Sequence, residues 1–185
     1  AHLSSGGHDG IYPIASCPCD EHQLEFHIRA TGDDTFAQQL FAGLGLNQQV
    51  EIEGPQGEFV LNQESARPVI FVAWDTGYAP IKSLLEQAMA LDAAEALHLF
   101  WIHSHGERPY LHNRCRAWAD ALDNFNYVPH SPTDDLGAVL DGIVVDYPDL
   151  HRFDVYAAGT TAQLAQAHEH FLRAGLHEAR WFADA

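Results

Sequence analysis

The stretch FVAWDTGYAP, Phe71 to Pro80, decides the fold of this chain. It lies in a continuous apolar run that begins at Val69, and such a run is typical of a strand buried on both faces of a parallel sheet. The Thr-Gly pair that follows predicts a turn, and Pro80 suits the first position of a helix. Strand, glycine turn and helix is the outline of a loop that cradles phosphate. Because Trp74 and Asp75 stand where such a loop favours glycine, the stretch predicts that outline with an altered loop.

Strands and helices alternate from that stretch to the end of the chain. Four helical patterns, each with an apolar face, connect five short strand patterns. The alternation predicts an α/β fold with a five-stranded parallel, doubly wound sheet. In such sheets ligands lie at the carboxyl ends of the strands. The predicted strands are residues 69–73, 97–102, 125–129, 154–158 and 179–183.

The chain before residue 62 has a different pattern, with the short alternation of β-strands. A helix in this part is predicted to be capped by Thr35 or Asp34 and to end at Gly43. The polar segment from Asn62 to Pro68 is predicted to be a linker, and the first ten residues are predicted to be a loop. The predicted strands of this part are residues 11–16, 24–30 and 49–54.

Composition excludes several classes of partner. The chain has 185 residues, is 46% hydrophobic and carries a net charge of -17, so its surface should repel nucleic acid and anionic lipid. Its apolar runs are shorter than the ~20 residues that cross a bilayer. With three cysteines and no disulfide framework, a reducing compartment is predicted, and the cytoplasm is the expected location. The oligomeric state is left open.

Two clusters of chemically active residues have alternative interpretations. Cys17-Pro18-Cys19 could be redox-active or bind a metal, but a plain turn is favoured. The histidines could hold a metal, but no further ligands are evident, so a solvated loop is favoured and no metal site is predicted. Those histidines are His98, His103, His105 and His112.

A series of motifs, in order and spacing, resembles the ferredoxin–NADP reductase superfamily. The motifs are YPIAS, LEFHIRA, GPQGEF, WDTGYAPIKSLLEQAM, NFNYVP, DVYAAGT and FLRAGL. The likeness is strongest to the bacterial branch of deoxysugar reductases, aromatic-ring oxygenase reductases and flavin reductases. It implies a partial flavin-binding-type antiparallel β-barrel over residues 1–62 and an NAD(P)-binding-like α/β domain over residues 66–185. Because that barrel is short and the chain does not begin with Met, we expect the first strands to be missing.

The resemblance also implies cofactors, a partner and a set of binding residues. The cofactors are FAD and NAD(P)H, and the partner is an electron-transfer protein. No catalytic acid or base is implied, because the protein holds the nicotinamide against the flavin for hydride transfer. The implied cofactor-binding residues are Tyr12 and Ile14 for the flavin, Thr35, Thr76, Gly77 and Pro80 for pyrophosphate, and Gly159 for the nicotinamide side.

The same motifs depart from the family pattern where phosphate should bind. The family's Arg-x-Tyr-Ser becomes Gly10-Ile11-Tyr12-Pro13, which lacks the arginine, and its Gly-Gly-Thr-Gly becomes Trp74-Asp75-Thr76-Gly77. Asp75 is predicted to cap the following helix, with pairing to Lys82 or another cation as the alternative. The sequence therefore supports two hypotheses. The chain is a flavin-dependent NAD(P)H oxidoreductase that passes electrons to an acceptor, or it is a degenerate reductase fold that serves as a scaffold or regulatory partner.

Overall fold

In this computed structural model, the described residues are 1–20, 22–43, 49–104, 106, 108–131 and 134–185. The strands are β1 (His2–Ser5), β2 (His8–Ile11), β3 (Glu51–Glu53), β4 (Val69–Trp74), β5 (Leu97–Ile102), β6 (Phe125–His130), β7 (Asp154–Ala158) and β8 (Trp181–Asp184). The helices are α1 (Thr35–Gly43), α2 (Tyr78–Leu91), α3 (His112–Ala121), α4 (Leu136–Asp146) and α5 (Thr161–Arg173). No described helix has the length and apolar character needed to cross a membrane.

The strands from β4 onward form one parallel sheet in the order β6-β5-β4-β7-β8. Every residue of β4 is buried, because helices cover both faces of the sheet. Side chains alternate between the faces, so Phe71 and Trp101 pack with α2 and α3, whereas Val72 and Phe100 pack with α4 and α5. The predicted five-stranded parallel, doubly wound sheet is confirmed.

The strand order reverses between β4 and β7. From β4 the chain adds β5 and β6 on one side, then returns to add β7 and β8 on the other. The carboxyl ends of β4 and β7 therefore lie side by side, which is where doubly wound sheets bind ligands. The approach is close, since a Cβ on Gly77 would lie 2.2 Å from the carbonyl oxygen of Ala158. Only glycine fits this turn without displacing the end of β7.

The first ten residues form a β-hairpin, so the prediction of a loop there is wrong. β1 pairs antiparallel with β2 on one side and with β3 on the other, giving a three-stranded sheet in the order β2-β1-β3. The turn is made by Gly6 and Gly7, whose φ angles are 59° and 83°. Two residues with positive φ suit the tight turn of a hairpin, and a Gly-Gly pair supplies them.

The strands predicted at residues 11–16 and 24–30 are reduced to a single bridge between Ile14 and Phe26. Polar groups of this segment bond to helix α2 instead of to a long neighbouring strand. The Lys82 ammonium donates to the Ala15 carbonyl at 3.1 Å, and the Ser83 hydroxyl donates to the Ser16 carbonyl at 2.8 Å. The segment is thus fixed against the helix that follows the Thr-Gly turn.

Two predicted helix starts have different outcomes. Helix α1 is capped by Asp34, whose carboxylate accepts from the Ala37 backbone N–H at 2.8 Å, as one of the two alternatives predicted. Helix α2 begins at Tyr78, after a short 3-10 turn over Asp75–Gly77, so the prediction of Pro80 as the first helical residue is wrong by two positions.

Candidate functional site

Two clefts share a wall at the junction of the parallel sheet with the first part of the chain. The switch-point cleft has a volume of about 330 Å³, and its lining includes Arg29, Asp75, Gly77 and Gly159. The side cleft has a volume of about 470 Å³, and its lining includes Ile14, Cys17, Leu24 and Phe59. Tyr12, Pro13, Pro80 and Asp184 line both. Such volumes are those of pockets that hold small molecules or cofactors.

Most of the residues implied by the resemblance meet at this junction. Helix α2 and its preceding turn bring Thr76, Gly77 and Pro80 to the switch-point cleft, where the end of β7 brings Gly159. Tyr12 stands in the wall between the clefts, and Ile14 lines the side cleft. Thr35 is different, because it is exposed at the start of α1 and lines neither cleft.

Tyr12 is held in place by the start of α1. Its hydroxyl donates to the Asp34 carboxylate, with oxygen separations of 2.7 and 2.8 Å, and its ring packs on Phe36 with a centroid separation of 5.6 Å. Burial, together with the neighbouring Asp34 carboxylate, raises the pKa of Tyr12 above its ordinary value. The phenol therefore stays neutral and acts as a fixed donor and a flat apolar wall.

Asp34 occupies the position at α1 where an anion would bind. A helix N-terminus attracts anions through its free backbone N–H groups and its dipole. Here the carboxylate of Asp34 already accepts the Ala37 N–H and the Tyr12 hydroxyl. A phosphate at this helix start would have to displace a charge of its own sign, so the α1 start does not fit a pyrophosphate.

Asp75 is bound on the other side of the cleft, and the prediction that it caps α2 is wrong. Its carboxylate accepts from the Ser104 backbone N–H at 2.7 Å and from the Ser104 hydroxyl, and it lies 3.5 Å from the Arg29 guanidinium. No side chain caps α2 at its N-cap position, Gly77. The left-handed conformation of Asp75, with φ of 48°, directs its side chain toward the end of β5. The alternative prediction is that Asp75 pairs with Lys82 or another cation. In the structure the cation beside Asp75 is Arg29.

Trp74 covers the end of β7. It is 4% exposed, and a Cβ on Gly159 would lie 2.8 Å from the Trp74 ring. The indole thus fills the space above Gly159 that a glycine in its place would leave open. Its Nε1 is buried without a hydrogen-bond partner among the described residues.

A buried network that the sequence did not reveal joins the two parts of the chain. Lys82 is 1% exposed and donates to Glu25 at 2.9 Å and to Glu86 at 3.0 Å. His27 lies 2.8 Å from Glu25 through Nε2 and 2.6 Å from the Tyr110 hydroxyl through Nδ1. Because an ionised carboxylate can only accept, Nε2 of His27 carries the proton and Nδ1 accepts from Tyr110.

The pKa values of this network follow from burial and pairing. Burial lowers the pKa of His27, although Glu25 opposes the change. Burial alone would raise the pKa of Glu25, but hydrogen bonds from His27 and Lys82 bring it below its ordinary value. The network therefore holds a neutral histidine beside an ionised carboxylate. Glu25, His27 and Arg29 alternate along the motif LEFHIRA, and this period of two was the signal that they share a face.

Both clefts contain carboxylates. Asp34, Asp75 and Asp184 line the switch-point cleft together with the basic Arg29, whereas Asp20 and Asp184 line the side cleft. Burial raises the pKa of Asp184 above its ordinary value. The side cleft is lined mainly by apolar and proline side chains. Apolar walls of this kind suit a flat ring system, whereas a phosphate in the switch-point cleft would meet carboxylates.

Two predictions about cysteine and histidine are corrected. Cys17 and Cys19 are joined by a disulfide, so the segment is more than a plain turn. Cys115 is a free buried cysteine, and burial raises its pKa to about 11. His103 is 5% exposed, because its backbone continues beyond β5 beside β6, so it does not lie in a solvated loop. His105 lies outside the described residues, and no metal-binding group was found among the residues that are described.

No family model matches the chain, but curated relatives do. It is 34% identical over 189 aligned residues to the CDP-6-deoxy-L-threo-D-glycero-4-hexulose-3-dehydrase reductase of Yersinia pestis, covering 99% of this chain and 57% of the relative. It is 30% identical over 186 residues to an NAD(P)H-flavin reductase of Vibrio harveyi, covering 94% of this chain and 78% of the relative. The chain thus spans little more than half the length of the first relative.

Solved structures share the fold. The cytochrome P450 reductase GcoB of Amycolatopsis superposes with a TM-score of 0.85 at 22% identity, covering 98% of this chain and 58% of that one. A ferredoxin NADP+ reductase from Neisseria gonorrhoeae with bound FAD and NADP superposes with a TM-score of 0.81 at 15% identity, covering 99% and 83%. At these identities the likeness is one of fold.

Proposed function

Because this chain belongs to the ferredoxin–NADP reductase superfamily, in the branch that contains NAD(P)H-flavin reductases, we propose that it is the redox module of a flavin-dependent NAD(P)H oxidoreductase. In this role it takes electrons from a nicotinamide nucleotide and passes them through a flavin to an acceptor. The relatives that carry this inference are named as reductases of a sugar dehydrase and of flavin.

The observation that carries the proposal is the pair of clefts at the switch point of the sheet. Tyr12 and Pro80 line both clefts, so a flat ring bound against them would lie beside the Thr76-Gly77 turn. A bound flavin would supply the redox chemistry, accepting a hydride equivalent and releasing electrons singly. Tyr12 would face the ring, Ile14 would contact its apolar edge, and Gly159 would line the nicotinamide side.

The residues of this chain bind and orient rather than transfer protons. Pro80 and the Thr76-Gly77 turn are fixed by α2, which Lys82 and Ser83 fasten to residues 15 and 16. The relative position of two bound rings would therefore be set by a rigid contact between two parts of the chain. Holding reactants in a fixed geometry is a major source of rate acceleration.

A second candidate is favoured by the carboxylates. Asp34 fills the helix start at α1, Asp75 is held by Ser104 and Arg29, and Trp74 covers Gly159. One unit of like charge at 4 Å and an effective dielectric constant of 20 costs about 4 kcal/mol. In this candidate the chain keeps the reductase fold, does not bind NAD(P)H, and serves as a scaffold or regulatory partner.

One experiment separates the two candidates. The purified protein is titrated with FAD under anaerobic conditions, and the visible absorbance spectrum is recorded before and after NADH or NADPH is added. The oxidoreductase predicts a bound flavin whose absorption band bleaches on addition of the nucleotide. A bound flavin that does not bleach, or no bound flavin, would favour the scaffold.

Three further features belong to the proposal. Residues 1–62 and 66–185 would act as a flavin-side domain and a nucleotide-side domain. The acceptor would be an electron-transfer protein with a basic docking surface, since this chain carries a net charge of -17. The cytoplasmic location predicted from the cysteine content stays a prediction.

A further inference from the structure

The Cys17–Cys19 disulfide lies beside the clefts. Cys17 is 6% exposed and lines the side cleft, the cleft that also contains Tyr12, Ile14 and Pro80. Cys19 is exposed and lies outside the lining of both clefts. The disulfide therefore joins a buried residue in the lining of the side cleft to a residue exposed to solvent.

The segment that carries Cys17 is fixed on its N-terminal side. The Lys82 ammonium and the Ser83 hydroxyl donate to the carbonyls of Ala15 and Ser16, and the Ala15 N–H donates to the Glu25 carbonyl at 2.8 Å. The same helix, α2, also carries Pro80, which lines both clefts. The backbone immediately before Cys17 is thus held by the helix that also contributes Pro80 to both clefts.

A structural role does not explain this disulfide. It joins residues 2 apart in sequence, and a loop this short removes little freedom from the unfolded chain. The segment is already held by the bonds to α2, so the disulfide adds no long-range connection. In reducing compartments, disulfides that form are typically transient and act in catalysis or redox sensing.

The protein also provides for the reduced state. The Cys19 backbone N–H lies 3.1 Å from the Cys17 sulfur, in position to donate a hydrogen bond. Such a donor stabilises a thiolate on Cys17 once the sulfur–sulfur bond is broken. The exposure of Cys19 leaves the second sulfur open to exchange with a disulfide in solution.

We propose that Cys17 and Cys19 form a thiol–disulfide redox centre that accepts electrons from the flavin and passes them to disulfide substrates. This inference rests on the proposed function, because it needs a flavin in the adjoining cleft. It adds a two-electron acceptor to a module otherwise expected to release electrons singly.

The step balances with the flavin as the reductant. The disulfide takes up two electrons and two protons, the sulfur–sulfur bond breaks, and both sulfurs become thiols, while a dihydroflavin is oxidised to flavin. In the next step the Cys19 thiolate attacks a substrate disulfide. Cys17 then attacks the mixed disulfide, so the substrate leaves as a dithiol and the Cys17–Cys19 bond forms again.

The test counts thiols and does not depend on turnover. Oxidised protein is mixed anaerobically with one equivalent of photoreduced FAD, new thiols are alkylated with iodoacetamide, and alkylated cysteines are counted by intact mass. Two new alkylated cysteines per chain are expected, appearing at least ten times faster than photoreduced FAD reduces oxidised glutathione at equal concentration. No new thiols, or a rate equal to that of glutathione, would overturn the proposal.

Two variants serve as controls. Cys19→Ser removes the disulfide without changing the cleft lining, so adding photoreduced FAD should leave its thiol count unchanged. Cys115→Ala removes the free buried cysteine and should retain the response of two thiols. Should Cys19→Ser fail to fold, equilibration of the wild-type protein in glutathione buffers decides the question. The Cys17–Cys19 disulfide of a redox centre is reduced at a potential within the range of the glutathione buffers. A disulfide that stays oxidised in all of these buffers contradicts the proposal.

A separate arm distinguishes this proposal from the proposed function. The same protein with FAD is mixed with NADH or NADPH instead of photoreduced FAD. Failure of the nucleotide to bleach the flavin would contradict the NAD(P)H oxidoreductase. The experiment with photoreduced FAD would still test the role of the disulfide, because in that experiment the electrons do not come from NADH or NADPH.

Discussion

The switch-point cleft and the side cleft share a wall and both contain carboxylates, but in the switch-point cleft the carboxylates occupy the helix start and the turn where phosphate would bind. In the switch-point cleft, carboxylates from Asp34 and Asp75 already accept the donors that a phosphate would use. The side cleft also contains Asp20 and Asp184, but most of its lining is apolar and proline side chains, which suit an uncharged ring. The comparison leads to the hypothesis that recognition of a ring and recognition of phosphate are separable in this chain.

Arg29 is a basic side chain in the lining of the switch-point cleft. Its guanidinium lies 3.5 Å from the Asp75 carboxylate. A basic residue is therefore present near the place of the phosphates, but it is paired with a carboxylate of the protein. Changing that pair alters the phosphate side while leaving the ring side unchanged, which makes the comparison testable.

The largest effect is expected at Lys82, the side chain that bonds α2 to Ala15 and Glu25 in the first part of the chain. Lys82→Met removes the buried ammonium and leaves Glu25 and Glu86 without their cation, so the free energy of unfolding should fall by about 3–5 kcal/mol. Urea denaturation measures it. Arg116→Met, in an exposed pair with Asp120, is the matched control and should change stability by less than about 1 kcal/mol. A loss of less than about 1 kcal/mol for Lys82→Met would mean that the stability of the protein does not depend on the bonds of Lys82 to Glu25 and Glu86.

The switch-point turn supplies the next effect. Gly77→Ala places a Cβ 2.2 Å from the Ala158 carbonyl oxygen, so the turn must move and stability should fall by about 1–3 kcal/mol. Thermal unfolding measures the change. Gly142→Ala in α4 is the control, since its Cβ meets nothing within 4 Å, and helix propensity predicts a gain of up to about 1 kcal/mol. Equal stability of Gly77→Ala and the wild type would show that the close contact between the Thr76-Gly77 turn and the end of β7 does not require glycine.

The effect of the Asp75 charge on phosphate binding in the switch-point cleft is tested by Asp75→Asn. Asparagine tolerates the left-handed backbone of this position, with φ of 48°, and can still accept from Ser104, but it carries no charge and releases Arg29. Affinity for NADH and for FAD should rise at least tenfold, which is about 1.4 kcal/mol. Isothermal titration calorimetry measures both. Riboflavin, which has no phosphate, is the matched ligand, and its affinity should stay unchanged. An equal gain in affinity for riboflavin would show that the substitution acts on binding of the flavin ring and not on binding of the phosphates.

The smallest effect concerns pH. Burial keeps the pKa of His27 low, so the unfolded chain takes up a proton near pH ~6.5 before the folded chain does. Stability that is present above pH ~6.5 is therefore lost as the pH falls, by at most about 1.4 kcal/mol per pH unit for this one group. His27→Gln should flatten the dependence between pH 7 and pH 5, as measured by urea denaturation at each pH. His8→Gln, on an exposed position of β2, should leave the slope unchanged. If His27→Gln leaves the pH dependence of the free energy of unfolding unchanged, that dependence arises from other groups.

Much of the fold could be predicted because its signals are local. The apolar run of β4 has the pattern of a strand covered on both faces, and the Thr-Gly pair marks the turn beside β7. The hairpin at residues 2–11 was missed, although Gly6-Gly7 is a turn signal, because few apolar side chains flank it. Long strands were predicted at 11–16 and 24–30, but bonds to Lys82 and Ser83, which are distant in sequence, compete with pairing there.

Motif order implied that Tyr12, Gly77 and Gly159 belong together, and in the structure they line one cleft. Their role in binding a cofactor stays a prediction. The role of Asp75 was not predictable, because it depends on a left-handed backbone angle and on Ser104, which follows a different strand. The disulfide between Cys17 and Cys19 depends on the local path of the chain, which the sequence does not specify.

The most direct test of the central claim compares riboflavin with FAD. The claim is that the chain retains a site for the flavin ring, whereas its phosphate positions are filled by its own carboxylates. Dissociation constants for the two ligands are measured by quenching of flavin fluorescence at low and at physiological salt. We predict values within about threefold of each other and little dependence on salt, since the ring would supply nearly all of the binding free energy. FAD binding more than tenfold tighter than riboflavin, and weakening as salt is added, would contradict the claim.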